Sequence, residues 1–182
     1  FNRLNKGKIG LTSSELIKAL LVLDKGADET AAGQLVMEWN EIEKRFQDDR
    51  FWFFISNNAR DTQTRIDLLF DFLTGKPHNS DKDYSYRLFQ NLYDYNHSSN
   101  RFNQLDPFWE SLGVKDLHVA WLRIKSTFNI LLGWYEDNMY YHYIGFLVNE
   151  KSHPMDIYRS LQGAKTNMKK EYPFHEWTRD DS

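Results

Sequence analysis

The stretch from 117 to 135 constrains this chain more than any other. Leu117, Ala120, Trp121, Ile124, Phe128, Leu131, Leu132 and Tyr135 recur at helical spacing and trace one face through about five turns. An amphipathic helix of that length is stable when its apolar face is covered by other elements. The segment is therefore predicted to be the central helix against which the rest of the chain packs, with Trp121 and Phe128 near the middle of the covered face.

The remaining sequence supplies helices rather than strands. Thr12 followed by Glu15 forms a capping box ahead of Leu16, Leu20 and Leu23, predicting a first helix from about Ser13 to Leu23 that ends at Lys25-Gly26. Leu35, Trp39, Ile42 and Phe46 share one stripe while Glu38, Glu41 and Lys44 fall off it, predicting a second from about Thr30 to Phe46. The run Phe51-Trp52-Phe53-Phe54-Ile55 is apolar on every side, so its period does not decide between strand and helix, but its neighbours favour helix.

Asp61 or Thr62 is the expected cap of a helix through Ile66, Leu69, Phe70 and Leu73, stopped by Gly75 and Pro77. Tyr86, Phe89, Leu92 and Tyr93 mark another. Met139 to Val148 is predicted to be a helix buried on most sides, and Pro154 opens a last helix reaching about Lys170. The predicted fold class is all-α, a multi-helix bundle in two packed helical subdomains, 1–97 and 98–182, divided near the polar loop around 98–106.

Composition fits a packed domain. Thirteen Phe, ten Tyr and six Trp among 182 residues supply ample material for a core and exclude a disordered chain. A formal charge of −3 gives no whole-surface attraction to nucleic acid, so any DNA contact needs a local patch. The absence of cysteine removes thiolate chemistry and is compatible with a reducing cytoplasm. The longest apolar runs are far too short to span a bilayer, so no membrane partner is expected.

Four stretches, in order, resemble a known family: "FNRLNKGKIGLTSSELIKALL" at the start, "EWNEIEKRFQDDRFWFFI" from Glu38, "TRIDLLFDFLTGK" from Thr64 and "YYHYIGFLV" from Tyr140. Together they resemble the helical second half of the GmrS-like, ParB/sulfiredoxin-related domain of GmrSD-type, nucleotide-dependent restriction endonucleases and related phage-defence proteins. Members of that family look like an α/β half bearing an Asp-Gly-Gln-Gln-Arg signature for nucleotide hydrolysis, then a Phe-x-x-x-Asn element, then helices. Phe1 and Asn5 match the Phe-x-x-x-Asn element, and Asp-Gly-Gln-Gln-Arg occurs nowhere in this sequence.

The resemblance implies a segment that starts just after the catalytic half. It implies a nucleoside triphosphate with Mg in the parent, no cofactor in this segment by itself, an upstream ParB/sulfiredoxin-like partner half, a His-Asn-His-type nuclease domain and a cytoplasmic setting. Within this segment it points to Asn5 at the nucleotide, with Arg3 and Lys6 adding positive charge, and to no catalytic residue. Phe1, Arg65 and the helix bearing His142 are structural parts of the pattern. An Asn held one turn from an anchored Phe can present an acceptor and an NH2 donor at a fixed place, which suits a phosphate or a catalytic water. The plain alternative is a turn: Asn5, Gly7 and Gly10 simply lead the chain into the cap at Thr12.

The other constellations each have two readings. No two histidines stand at the spacing that puts a pair of metal ligands on one helical face, so no metal site is expected. His153-Pro154 lacks the neighbouring acid and downstream Asn of a His-Asn-His nuclease, and Pro154 serves better as a helix start. His142 is either a ligand-facing imidazole or a hydrogen-bonded core histidine. Arg65 and Asp67, near Arg60 and Asp61, form either a polar cluster facing a missing half or a solvated face.

Trp39, Trp52, Trp109, Trp121 and Trp134 suit base stacking in principle, but four of them lie on apolar stripes and read as core. Lys165, Lys169 and Lys170 share part of one face and are either a phosphate contact or solvated charge. The function expected is the helical portion of a nucleotide-dependent restriction or phage-defence protein, inactive alone. The alternative is a non-enzymatic DNA-recognition or oligomerisation module.

Overall fold

The computed structural model describes residues 10–56, 64–77, 80–98, 103–149 and 157. Every regular element among them is a helix: α1 Ser13–Asp24, α2 Glu29–Phe46, α3 Asp49–Ser56, α4 Asp67–Thr74, α5 Tyr84–His97, α6 Pro107–Ser111, α7 Leu117–Glu136 and α8 Asn138–Asn149. The expected all-α class is what the chain adopts.

Local chemistry fixes most of the boundaries. At α1 both halves of the capping box form: Thr12 N donates to Glu15 Oε2 at 2.7 Å, and Glu15 N donates to Thr12 Oγ1 at 3.3 Å. The Asp28 carboxylate accepts from Ala31 N to start α2, Asp106 from Phe108 N to start α6, and Asp116 from Val119 N to start α7. Each satisfies an otherwise orphaned N–H of a first turn. Gly75 ends α4 at φ +61°, a left-handed conformation that costs a side-chain-bearing residue energy. Asp137 breaks α7 from α8, and its carboxylate accepts from Met139 N and Tyr140 N to cap the new helix.

Helix α7 packs against α1, α3, α4, α5 and α8, which is the central position its stripe predicted. Leu117, Ala120, Trp121, Ile124 and Leu131 are buried, but so are Thr127 and Trp134, whereas Phe128, Leu132 and Tyr135 are only partly covered. The covered face is thus shared differently toward the end of α7. There α8 folds back against it, and the eight-residue α3 reaches Phe128 and Tyr135 without enclosing them. Phe128 is therefore not central, as the spacing had implied, while Trp121 is.

The buried residues form one cluster that draws on both sides of the 98–106 region, from Ile17 and Trp39 to Trp121 and Leu131. Across the 98–106 region, α7, on its C-terminal side, packs on α1, α4 and α5, on its N-terminal side. Ring contacts run through this core as a column: Trp121 on Trp39 at 6.1 Å, Trp39 on Phe70 at 5.4 Å, Phe70 on Phe89 at 5.8 Å, and Phe89 on Trp109 at 5.0 Å. Such pairs add roughly 0.5–1.5 kcal/mol each beyond burial.

Two other expectations change, and a third lies outside the described residues. The helix expected to be capped by Asp61 or Thr62 begins at Asp67, and those two residues lie outside the described ones. The helix carrying His142 is not buried on most sides: Ile144 is covered, but Met139, Tyr141, His142 and Tyr143 are exposed, because α8 is an edge helix packed mainly on α7. The helix predicted from Pro154 to Lys170 lies outside the described residues except Ile157, which is buried in the common core.

Candidate functional site

Phe1, Arg3, Asn5 and Lys6 lie outside the described residues, and so do Lys165, Lys169 and Lys170. What the structure provides is the ground to which the opening segment attaches, the start of α1. There two consecutive serines, both buried, turn inward behind the Thr12 cap. Ser14 N donates to Asp67 Oδ1 at 3.0 Å, and Ser14 Oγ lies 2.9 Å from Thr64 Oγ1. Thr64 N donates to Asp67 Oδ2 at 2.8 Å, so one carboxylate holds the N–H groups of two separate helix starts. Ser13 Oγ donates to Asp83 Oδ1 at 3.1 Å, adding the start of α5. Three helix N-termini thus converge, and their dipoles favour the negative charge of Asp67 and Asp83.

Arg65 and Asp67 are two residues apart but serve different neighbours. The Arg65 guanidinium donates to Phe46 O and Gln47 O at the end of α2, pairs with Asp49 at 2.7 Å and lies over the Trp52 ring at 5.3 Å. A cation on the last carbonyls of a helix is electrostatically favourable. Arg65 thus ties the start of α4 to the α2–α3 corner.

His142 is not a buried core histidine. It is exposed, and its ring meets Tyr141 edge-on at 5.8 Å. Tyr141 in turn stacks on Phe54 at 4.9 Å with planes 9° apart, joining α8 to α3. The five tryptophans whose role was open are all buried, so they are core residues and offer no stacking platform. No group of three or more His, Asp or Glu among the described residues is arranged to hold a metal.

Two polar clusters were not anticipated. Glu38, off the apolar stripe of α2, accepts from Lys125 Nζ and Trp121 Nε1, each at 2.9 Å, and from Gln34 Nε2 at 3.1 Å. The Lys125 bond above all holds its carboxyl below the usual 4.5, against the opposing effect of burial. The second cluster surrounds Asp71 of α4: Ser85 Oγ lies 2.9 Å from Oδ1 and Lys76 Nζ 3.5 Å from Oδ2. Burial pushes this carboxyl up from the ordinary 3.8, outweighing Lys76 and Ser85, with Asp67 repelling it from one turn away. The sequence signal was the pair Asp67 and Asp71, four apart on an otherwise apolar helix.

An open cavity of about 740 Å³ lies where the end of α5 meets α6 and its flanks, lined by Tyr95, Leu105, Pro107, Glu110, Gly113 and Lys115 among others. Its walls are tied to α5 by amides: Asn91 Nδ2 donates to Gln104 O and Asn96 Nδ2 to Lys115 O, both at 3.1 Å.

Compared with family models, curated proteins and solved structures, the chain matches none.

Proposed function

We propose that this chain is the helical portion of a GmrSD-like, nucleotide-dependent DNA restriction or phage-defence protein. In this reading it completes a nucleotide site through Asn5, with Arg3 and Lys6 beside it, and relays nucleotide state to a His-Asn-His-type nuclease domain. The triphosphate and its Mg belong to the upstream ParB/sulfiredoxin-like half, and the assembly works in the cytoplasm. The segment alone is inactive.

Support comes from the way the four stretches behind the resemblance meet. The first joins the third through Ser14, Thr64 and Asp67, the third joins the second through Arg65, and the second joins the fourth through Phe54 on Tyr141. Stretches far apart in sequence form one connected unit, and the opening segment enters it at the convergence of three helix starts. A signal at that entry has a covalent and hydrogen-bonded route to α4 and the α2–α3 corner.

One observation favours the oligomerisation reading: Phe53, Met139, Tyr141 and Tyr143 are exposed on neighbouring parts of α3 and α8. For DNA recognition by the helical body the support is divided: Lys25, Arg45, Arg65, Lys76, Arg87 and Lys125 are paired with carboxylates, while Lys18, Lys44, Arg50, Lys82, Lys115 and Arg123 are not in those pairs.

The test is to assay triphosphate hydrolysis and DNA cleavage by the segment, by the complete protein and by its Asn5→Ala variant. The proposal expects no turnover from the segment and a large loss in the variant. Turnover by the segment alone refutes it. DNA binding by the segment that weakens steeply as salt rises selects the recognition module instead.

A further inference from the structure

We propose that Asp71, Ser85 and Thr74 form an internal proton-binding site whose hydrogen-bonded chain is complete only when the Asp71 carboxyl carries a proton. The reasoning is a count of hydrogens. Thr74 Oγ1 lies 2.9 Å from Phe70 O, Thr74 Oγ1 lies 2.9 Å from Ser85 Oγ, and Ser85 Oγ lies 2.9 Å from Asp71 Oδ1. Each hydroxyl owns one hydrogen. With Asp71 ionised there are two hydrogens for three contacts, so one oxygen pair meets without a proton between them. Thr74 and Ser85 are both buried, so water does not relieve the shortage.

A protonated Asp71 supplies the third hydrogen. Its O–H donates to Ser85 Oγ, the Ser85 hydroxyl donates to Thr74 Oγ1, and the Thr74 hydroxyl donates to Phe70 O. The other carboxyl oxygen remains free to accept from Lys76. The chain then runs unbroken from the end of α4 to the start of α5, each bond polarising the next.

The charges around the site act in both directions. Lys76 favours the ionised carboxylate, while burial and Asp67 favour the neutral acid. From α5 the facing group is Ser85, and Asp83 at the start of that helix is engaged by Ser13. On the other helices packed on α4, Lys18 is engaged by Asn40, Glu15 by Thr12 and Asp24 by Lys25 on α1; on α7, Arg123 is engaged by Leu112, Lys125 by Glu38 and Glu136 by Arg45, and His118 is exposed. The folded state therefore binds this proton more tightly than the unfolded chain does. The associated stability is full below the ordinary carboxyl value of 3.8 and is lost as pH rises through the higher folded value. The α4–α5 contact tightens toward acid, opposite to the usual behaviour of a buried ion pair.

The experiment follows the carboxyl carbon of Asp71 by NMR through a pH titration of the whole 182-residue chain, the signal being assigned by its loss in Asp71→Asn. The native midpoint is expected above 3.8. In Thr74→Val the Ser85 hydrogen is released to the carboxylate, so the midpoint is expected to fall; burial alone predicts no such fall. A native midpoint at or below 3.8, or one that Thr74→Val leaves in place, overturns the proposal. Should Thr74→Val not fold, denaturation of native and Asp71→Asn protein across acid to neutral pH decides. Asp71→Asn is expected to remove a component that declines with rising pH, and an unchanged slope overturns the site.

Discussion

Two regions of this molecule are both rich in aromatic rings and have opposite surroundings. The column from Trp121 through Trp39, Phe70 and Phe89 to Trp109 lies inside, each ring covered by helices on every side. Phe53, Tyr141 and Tyr143 lie on α3 and α8, where Phe and Tyr rings are exposed. Between them sit Phe51, Phe128 and Tyr135, with Arg45 over the rings of Phe51 and Tyr135 at 5.8 and 5.4 Å and paired to Glu136. Aromatic content therefore does not report burial. What separates the two regions is whether a second layer of helices covers the ring.

The largest test of that difference is Trp109→Ala. Trp109 is fully buried, and its indole N–H donates to Leu88 O at 2.8 Å, so truncation should cost about 3–5 kcal/mol by chemical denaturation. Tyr135→Ala, at the junction, removes a half-covered ring and one face of the Arg45 sandwich; about 1–2 kcal/mol is expected. Phe53→Ser should change stability by no more than about 0.5 kcal/mol, since that side chain is 57% exposed. A loss of several kcal/mol at Phe53 would show the patch to be covered and would abolish the contrast. If sedimentation finds the chain associated and Phe53→Ser makes it monomeric at unchanged stability, the patch is a binding face.

Sequence made the helical class and most helix ends legible because both depend on neighbours within a few residues. The Thr12–Glu15 box and the stripe Leu35, Trp39, Ile42, Phe46 are local features, and the structure carries them as the sequence suggests. The short apolar run around Trp52 was ambiguous by period and settled by context as a helix. Errors arose where a distant segment decided the outcome. His142 looked buried because its neighbours are aromatic, but no described helix covers that side of α8. Phe128 shares the apolar stripe of α7, and the shortness of α3 leaves it only partly covered.

The polar interior was the least legible part. Asp67 serves a backbone group 53 residues away, and Asp71 meets Ser85 14 residues on, pairings that no local pattern encodes. Both carboxylates carried the one available hint, their presence on an apolar helix. For Asn5, Arg3 and Lys6, the residues proposed to meet a nucleotide, the sequence supplies a chemical type, and the described residues begin at Gly10, just ahead of the start of α1.

Because α7 lines the interior of both parts of the chain, neither residues 10–98 nor residues 103–149 possess a complete inside of their own. Separated, each piece would present to water the surface it normally gives to the other. In order of synthesis, α1 to α5 precede the long helix that completes their covering layer.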